Sequence, residues 1–218
     1  MSTSCLPLVY LFADRMFTSR LPHAYLLSRG CYRSDTLAAH RPGYMIVDGP
    51  SCSTEPRAVA GWFKGGKTSK ALGDGRYLCD PVDNGTALML AEHIKDALRG
   101  ADLLGDDMEV PVEGVHALYD TAASAAQMLH YDWPEKVAAC FLEDDVHMPL
   151  SAIWAPLAPF ALQTATGEKI TVNKGKMIVF RADFEHGGWG YMSSVHRVHA
   201  YVRPKGQGVR LPKAVYTR

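Results

Sequence analysis

Apolar residues at Leu88, Ala91, Ile94, Leu98 and Ala101 recur at helical spacing, Lys95 and Asp96 lie off that stripe, and Gly105 follows. The pattern predicts an amphipathic helix over 86–104 with one face laid on a sheet. Beyond it the period shortens. β-type runs at 108–119, 125–132, 150–157, 169–173, 176–184 and 195–202 alternate with Gly, Pro, Asp and Asn, a spacing that suits an antiparallel sandwich or barrel. Ahead of the helix, 41–85 is dense in Gly, Pro, Ser and Asp with short apolar runs such as Tyr44 to Val47, which reads as loops linking short strands. The expected division is an N-terminal extension over 1–85 and a β-rich domain over 86–218 that includes the packing helix. No internal repeat or low-complexity tract is visible.

Composition narrows the class. With 218 residues, 47% hydrophobic and 21% charged, the chain can bury one sizeable core. Lys+Arg and Asp+Glu both total 23, so no global field draws it to nucleic acid or to an anionic membrane. A C-terminal stretch with Arg203, Lys205, Arg210, Lys213 and Arg218 contains no acid, and a solvated tail is favoured over a binding patch. Five Cys at 5, 31, 52, 79 and 140 form no close pair, which fits a reducing compartment. The apolar run Leu6 to Phe12 meets Asp14 and Arg15 at once, too short for a bilayer span. The expectation is a soluble intracellular protein, cytoplasmic before nuclear.

Candidate chemistry begins at Leu129-His-Tyr-Asp-Trp133. In an extended strand alternate side chains share a face, so His130 and Asp132 would point the same way and offer two metal ligands. The tripeptide is common, and specificity has to come from context. Further on, Gly175-Lys-Met-Ile-Val-Phe-Arg-Ala-Asp-Phe-Glu-His186-Gly-Gly delivers a His from an apolar strand into a Gly-rich turn. Arg197 then sits in Val195-His-Arg-Val-His-Ala-Tyr-Val202, where Val198, Ala200 and Val202 form one apolar face and Arg197, His199 and Tyr201 the other. One face is packed; the other lines something polar.

The order His-x-Asp, long interval, apolar strand ending in His, then Arg on the next strand resembles the 2-oxoglutarate/iron(II)-dependent dioxygenase superfamily. It does so over roughly residues 110 to 203. The resemblance implies a mainly β fold with supporting helices, a double-stranded β-helix (jelly-roll, cupin-like) barrel. It implies Fe(II) on His130, Asp132 and His186, and Arg197 gripping the distal carboxylate of 2-oxoglutarate. The reaction class it implies is hydroxylation or oxidative demethylation with O₂, releasing succinate and CO₂, with ascorbate to keep iron reduced. Two His and one carboxylate on one face of an octahedral ion leave three adjacent positions open, and a guanidinium presents a planar pair of donors to a carboxylate. Many members carry Ser two residues after that Arg; here it is His199, so co-substrate contacts from His199 and Tyr201 stay open beside plain barrel filling. The substrate class is a small molecule or protein side chain before nucleic acid.

Two other readings stand beside this one. Gly61-Trp-Phe-Lys-Gly-Gly66-Lys67-Thr68 is a literal G-x-x-x-x-G-K-[ST] phosphate loop. Such a loop needs a strand directly before it and a helix directly after it, whereas Pro56-Arg57 and Gly73-Asp-Gly75 interrupt both. Glu143-Asp-Asp145 with His147 reads as a solvated loop rather than a cation site. A jelly roll that binds without turnover is the third class, and the complete set of candidate ligands argues against it.

Overall fold

The computed structural model describes residues 43–51, 59, 61–63, 70–73, 75–143 and 148–206. The strands are β1 (Tyr44–Asp48), β2 (Lys70–Gly73), β3 (Arg76–Cys79), β4 (Met108–Glu109), β5 (Val115–Asp120), β6 (Leu150–Trp154), β7 (Phe160–Thr164), β8 (Lys169–Val172), β9 (Lys176–Arg181), β10 (His186–Gly188) and β11 (Val195–Pro204). Among the described residues two α-helices accompany them, α1 (Asn84–Gly100) and α2 (Glu135–Glu143). The larger sheet runs β1-β9-β6-β11-β5-β3-β2, with β4 also paired to β11; the smaller runs β10-β7-β8. All strand pairs are antiparallel.

Helix α1 confirms the predicted amphipathic segment with its frame shifted slightly. Asp83 caps it by accepting a 2.7 Å bond from the Thr86 N–H. Its buried stripe is Ala87, Leu90, Ala91, Ile94 and Leu98, while Leu88 is exposed. Asp102 takes a left-handed backbone (φ 57°), its N–H meets the Arg99 carbonyl and that of Leu103 meets Leu98. This double closure ends the helix before Gly105. Each large side chain buried on that face contributes about 1.5–3 kcal/mol.

The strand period places the two faces of the large sheet in different environments. Val198, Ala200 and Val202 of β11, with Met177 and Val179 of β9, pack on Leu90, Ile94 and Leu98 of α1. The opposite face contributes Ile153, Ile178 and Phe180, which meet Phe160, Leu162, Ile170 and Val172 of the smaller sheet. The apolar even face read from 195–202 is therefore the helix-facing one.

Several expectations need correcting. Residues 125–132 form no regular strand; this segment runs beside β10, tied by Gln127 N–H to Gly188 O and by a reciprocal pair of bonds between His130 and His186. Strand β7 follows Ala155-Pro-Leu-Ala-Pro159, and Pro at 156 and 159 hid its start. Helix α2 lies between the predicted runs 125–132 and 150–157, where no element was expected. Strands β1 and β3 precede residue 86 and yet are hydrogen-bonded into the large sheet through β9 and β5, so the sheet begins within 1–85.

Only residues 61–63 of the phosphate-loop match are described; Lys67 and Thr68 lie outside the described residues, and a strand, β2, rather than a helix follows at Lys70. The run Leu6 to Phe12, residues 144–147 and the basic residues after 206 also lie outside them. Arg203 pairs with Glu109 and Glu113, and Lys205 Nζ donates to the Asp106 carbonyl, so this end of the basic stretch is engaged within the domain. Cys79 is buried with a free thiol. Among the described residues no helix is long and apolar enough to cross a membrane.

Candidate functional site

A cavity opens between the two sheets, lined by Arg76, Tyr77, Leu118, Asp120, Gln127, His130, Asp132, Ile153, Leu162, His186, Gly188, Arg197 and His199. Five of the six residues singled out from the sequence meet here or touch its wall directly. His130 and Asp132 come from the segment beside β10, His186 from β10 itself, and Arg197 and His199 from the inner face of β11. Tyr201 does not line it. Its ring is buried between Trp133 (centroids 5.1 Å) and His199 (4.5 Å, edge-on).

At one end, ligand atoms of His130, Asp132 and His186 all lie within 4.8 Å of one another. Asp132 Oδ1 is 3.7 Å from Nε2 of each His. The rings are oriented from behind: His130 Nδ1 is 2.9 Å from the Met128 carbonyl and His186 Nδ1 3.2 Å from the Phe184 carbonyl. A carbonyl only accepts, so each Nδ1 donates and each Nε2 is turned toward the cluster. This is the arrangement a metal-binding His requires. Phe180 and Phe184 rings flank His186 at 4.4 and 5.8 Å.

His199 supplies what the sequence left open. Its Nε2 lies 3.0 Å from Asp132 Oδ2, so it donates to the carboxylate oxygen that points away from the other two ligands. Burial alone would push the Asp132 carboxyl up, but the charge of His186, then the charge and hydrogen bond of His199, then His130, hold it well below the usual carboxylate range. His186 moves the other way: burial chiefly, with His130 and His199 adding, outweighs Asp132 and takes it down to about 4. At neutral pH the centre therefore holds an ionised carboxylate and, at 186, a neutral imidazole. Donors of this kind fit a divalent transition ion such as iron or manganese.

At the other end, Arg197 is 3% exposed and its Nη2 donates to Asp120 Oδ2 at 2.5 Å. The guanidinium carbon lies 5.6 Å from the Phe160 ring and 5.9 Å from that of Tyr191. Asp120, wholly buried, is shared with Arg76, whose Nε approaches Oδ1 to 2.7 Å. The pairing follows from register: Arg76 is directly opposite Asp120 across β3–β5, and Arg197, opposite Leu118, is its diagonal neighbour across β5–β11. Sequence reasoning missed both partners, because the pairing spans 44 and 77 residues and each looks locally like an ordinary strand-end charge. The one available signal was Asp120 closing the apolar run Val115-His-Ala-Leu-Tyr.

The glycines after His186 allow this closeness. A Cβ on Gly187 would come within 2.7 Å of the Gln127 carbonyl and 3.0 Å of that of Met128, so the segment bearing His130 can lie against β10 only if 187 has no side chain. Gly188 faces the cavity, where a Cβ would stand 3.4 Å from Arg76 Nη2 and 3.6 Å from Arg197 Nη1.

Neither a protein-family model nor a curated protein matches this sequence. Solved structures do. The non-heme alpha-ketoglutarate-dependent epimerase SnoN from nogalamycin biosynthesis aligns with a TM-score of 0.54 over 82% of this chain and 92% of that one, at 16% identity. HygX from Streptomyces hygroscopicus, solved with nickel and 2-oxoglutarate bound, aligns with a TM-score of 0.54 over 75% and 84%, at 10% identity. The fold is the double-stranded β-helix of the 2-oxoglutarate-dependent oxygenases. The jelly-roll barrel expected from the order of His130, Asp132, His186 and Arg197 is thus the observed architecture.

Proposed function

We propose that the chain is an iron(II)- and 2-oxoglutarate-dependent dioxygenase that hydroxylates or oxidatively demethylates a substrate and releases succinate and CO₂. The observation that carries this is one cavity holding three metal-type donors at one end and a buried arginine at the other. His130 and His186 through Nε2 and Asp132 through Oδ1 would hold the iron, which together with O₂ and 2-oxoglutarate supplies the oxidative chemistry. Arg197 would bind the far carboxylate of 2-oxoglutarate with a charge that persists at any working pH. His199 positions Asp132, and Leu118, Ile153 and Leu162 add apolar side chains to the cavity wall.

The charges suit this co-substrate. One carboxylate against a divalent ion would leave one positive charge at the metal, and two guanidiniums line the same cavity. The two carboxylates of 2-oxoglutarate match them. For the substrate itself, the absence of net charge over the chain favours a small molecule or protein side chain over nucleic acid.

Anaerobic reconstitution should give about one iron or manganese per chain, lost in His130→Ala and in His186→Ala; undiminished metal in both variants would sink the assignment. Succinate released from 2-oxoglutarate with iron(II), ascorbate and pooled candidate substrates then tests the reaction, with the same two variants as blanks.

A further inference from the structure

The anion end of the cavity holds more positive charge than one arginine provides. Arg76, 4% exposed, lines the same cavity as Arg197, and both turn toward Asp120. The contact of its Nε with Oδ1 is an ion pair too misaligned to count as a hydrogen bond, and its Nη2 donates to the Trp189 carbonyl at 2.9 Å. Neither contact uses Nη1, so a nearly buried guanidinium that lines the cavity keeps donors in reserve. Two guanidiniums thus share one buried carboxylate and line the same cavity.

We propose that Arg76 is a second carboxylate-binding residue of this cavity, gripping the far carboxylate of the co-substrate together with Arg197, while Asp120 holds the two guanidiniums side by side. This rests on the co-substrate reading given above. Position 188 is consistent with it: a Cβ there would stand 3.1 Å from Gln127 Oε1, 3.4 Å from Arg76 Nη2 and 3.6 Å from Arg197 Nη1, so any side chain at 188 would crowd both guanidiniums. The clamp thus spans two strands that flank β5, and one arm comes from a part of the chain ahead of α1.

The test is calorimetric titration of the manganese(II)-loaded full chain with 2-oxoglutarate and with 2-oxopentanoate, which has the same 2-oxo acid end and no far carboxylate. Arg76→Gln should weaken 2-oxoglutarate about ten- to hundredfold, as expected for a lost charge-assisted hydrogen bond, and leave 2-oxopentanoate unchanged. Arg76→Lys keeps a positive charge beside Asp120 and loses the planar fork, so it should fold even where Arg76→Gln does not, and it should bind 2-oxoglutarate more weakly than wild type while leaving 2-oxopentanoate unchanged. Wild-type affinity for 2-oxoglutarate in a folded Arg76→Gln, or in Arg76→Lys, overturns the proposal; the latter would mean that Arg76 serves only to neutralise Asp120. A wild-type protein that binds no 2-oxoglutarate at all would instead overturn the co-substrate reading, and this proposal with it.

Discussion

Replacing His199 by Ala removes one hydrogen bond, and the structure says which one and what it holds. Nε2 lies 3.0 Å from Asp132 Oδ2. Because the Asp132 carboxyl is held below the usual range, it accepts and His199 donates. The carboxylate is mostly shielded from solvent, with its side chain 13% exposed, so water replaces the lost donor poorly. A hydrogen bond to a charged group is worth roughly 1.5–3 kcal/mol. The carboxylate would also be free to turn Oδ1 away from His130 and His186, and loss of such a supporting contact costs about 10–100-fold in metal affinity. The two figures agree, since about 1.4 kcal/mol corresponds to tenfold. Competitive titration of manganese(II) against a chromogenic chelator should therefore show His199→Ala weakened by one to two orders of magnitude. His199→Gln, which can place an amide N–H near the same point, should recover part of that. Circular dichroism would establish that each variant is folded. If folded His199→Ala bound metal within twofold of wild type while Asp132→Ala bound none, the carboxylate needs no second contact and the argument fails.

Arg197→Lys should leave metal binding intact and weaken 2-oxoglutarate about tenfold or more, because an ammonium keeps the charge and loses the planar two-donor fork; anaerobic titration followed by charge-transfer absorption reads this directly. The metal-free protein should lose stability as pH falls from about 6.5 toward 4. His186 binds its proton more weakly folded (about 4) than unfolded (ordinary value 6.5), so protons favour the unfolded chain in that window; thermal melts across the range should show a shallower slope for His186→Gln. Leu98→Ala, deep in the interface between α1 and the sheet, should cost about 2–5 kcal/mol in urea unfolding. ATP and GTP should not bind, and tight nucleotide binding abolished by Lys67→Ala would restore the phosphate-loop reading of Gly61–Thr68.

What was legible in the sequence is what short-range pattern encodes. The stripe of α1, the two faces of β11 and the apolar strand leading to His186 each depend on residues within a few positions of one another, where side-chain direction follows from backbone period. The order of His130, Asp132, His186 and Arg197 was legible because chemistry restricts which residue types can hold an ion or a carboxylate. Their facing inward together was expected from strand alternation. It holds, although residues 125–132 are not a strand, because pairing His130 with His186 imposes an extended backbone locally. Arg76 and Asp120 were not legible, since only the sheet order β11-β5-β3 makes them neighbours. The contact of His199 with Asp132 was not legible for a related reason, since the two lie 67 residues apart. Pro156 and Pro159 hid β7, and α2 was hidden by its shortness, nine residues between Pro134 and the acids at 143–145.

The two ends of the cavity are mounted on unequal supports. Arg197 and His199 ride on a ten-residue strand hydrogen-bonded to β5 on one side and β6 on the other, with α1 pressed against its back. His130 and Asp132 ride on an irregular segment joined to a three-residue strand. Native-state hydrogen exchange should therefore grade across the cavity, slow in the amides of β11 and fast in those of 127–132. An ion shared by His130, Asp132 and His186 would act as a cross-link that stitches the weaker mount to the smaller sheet, and its arrival should slow exchange on that side alone. The carboxylate end then serves as the stationary jaw of a vice whose other jaw is set only when the metal is in place.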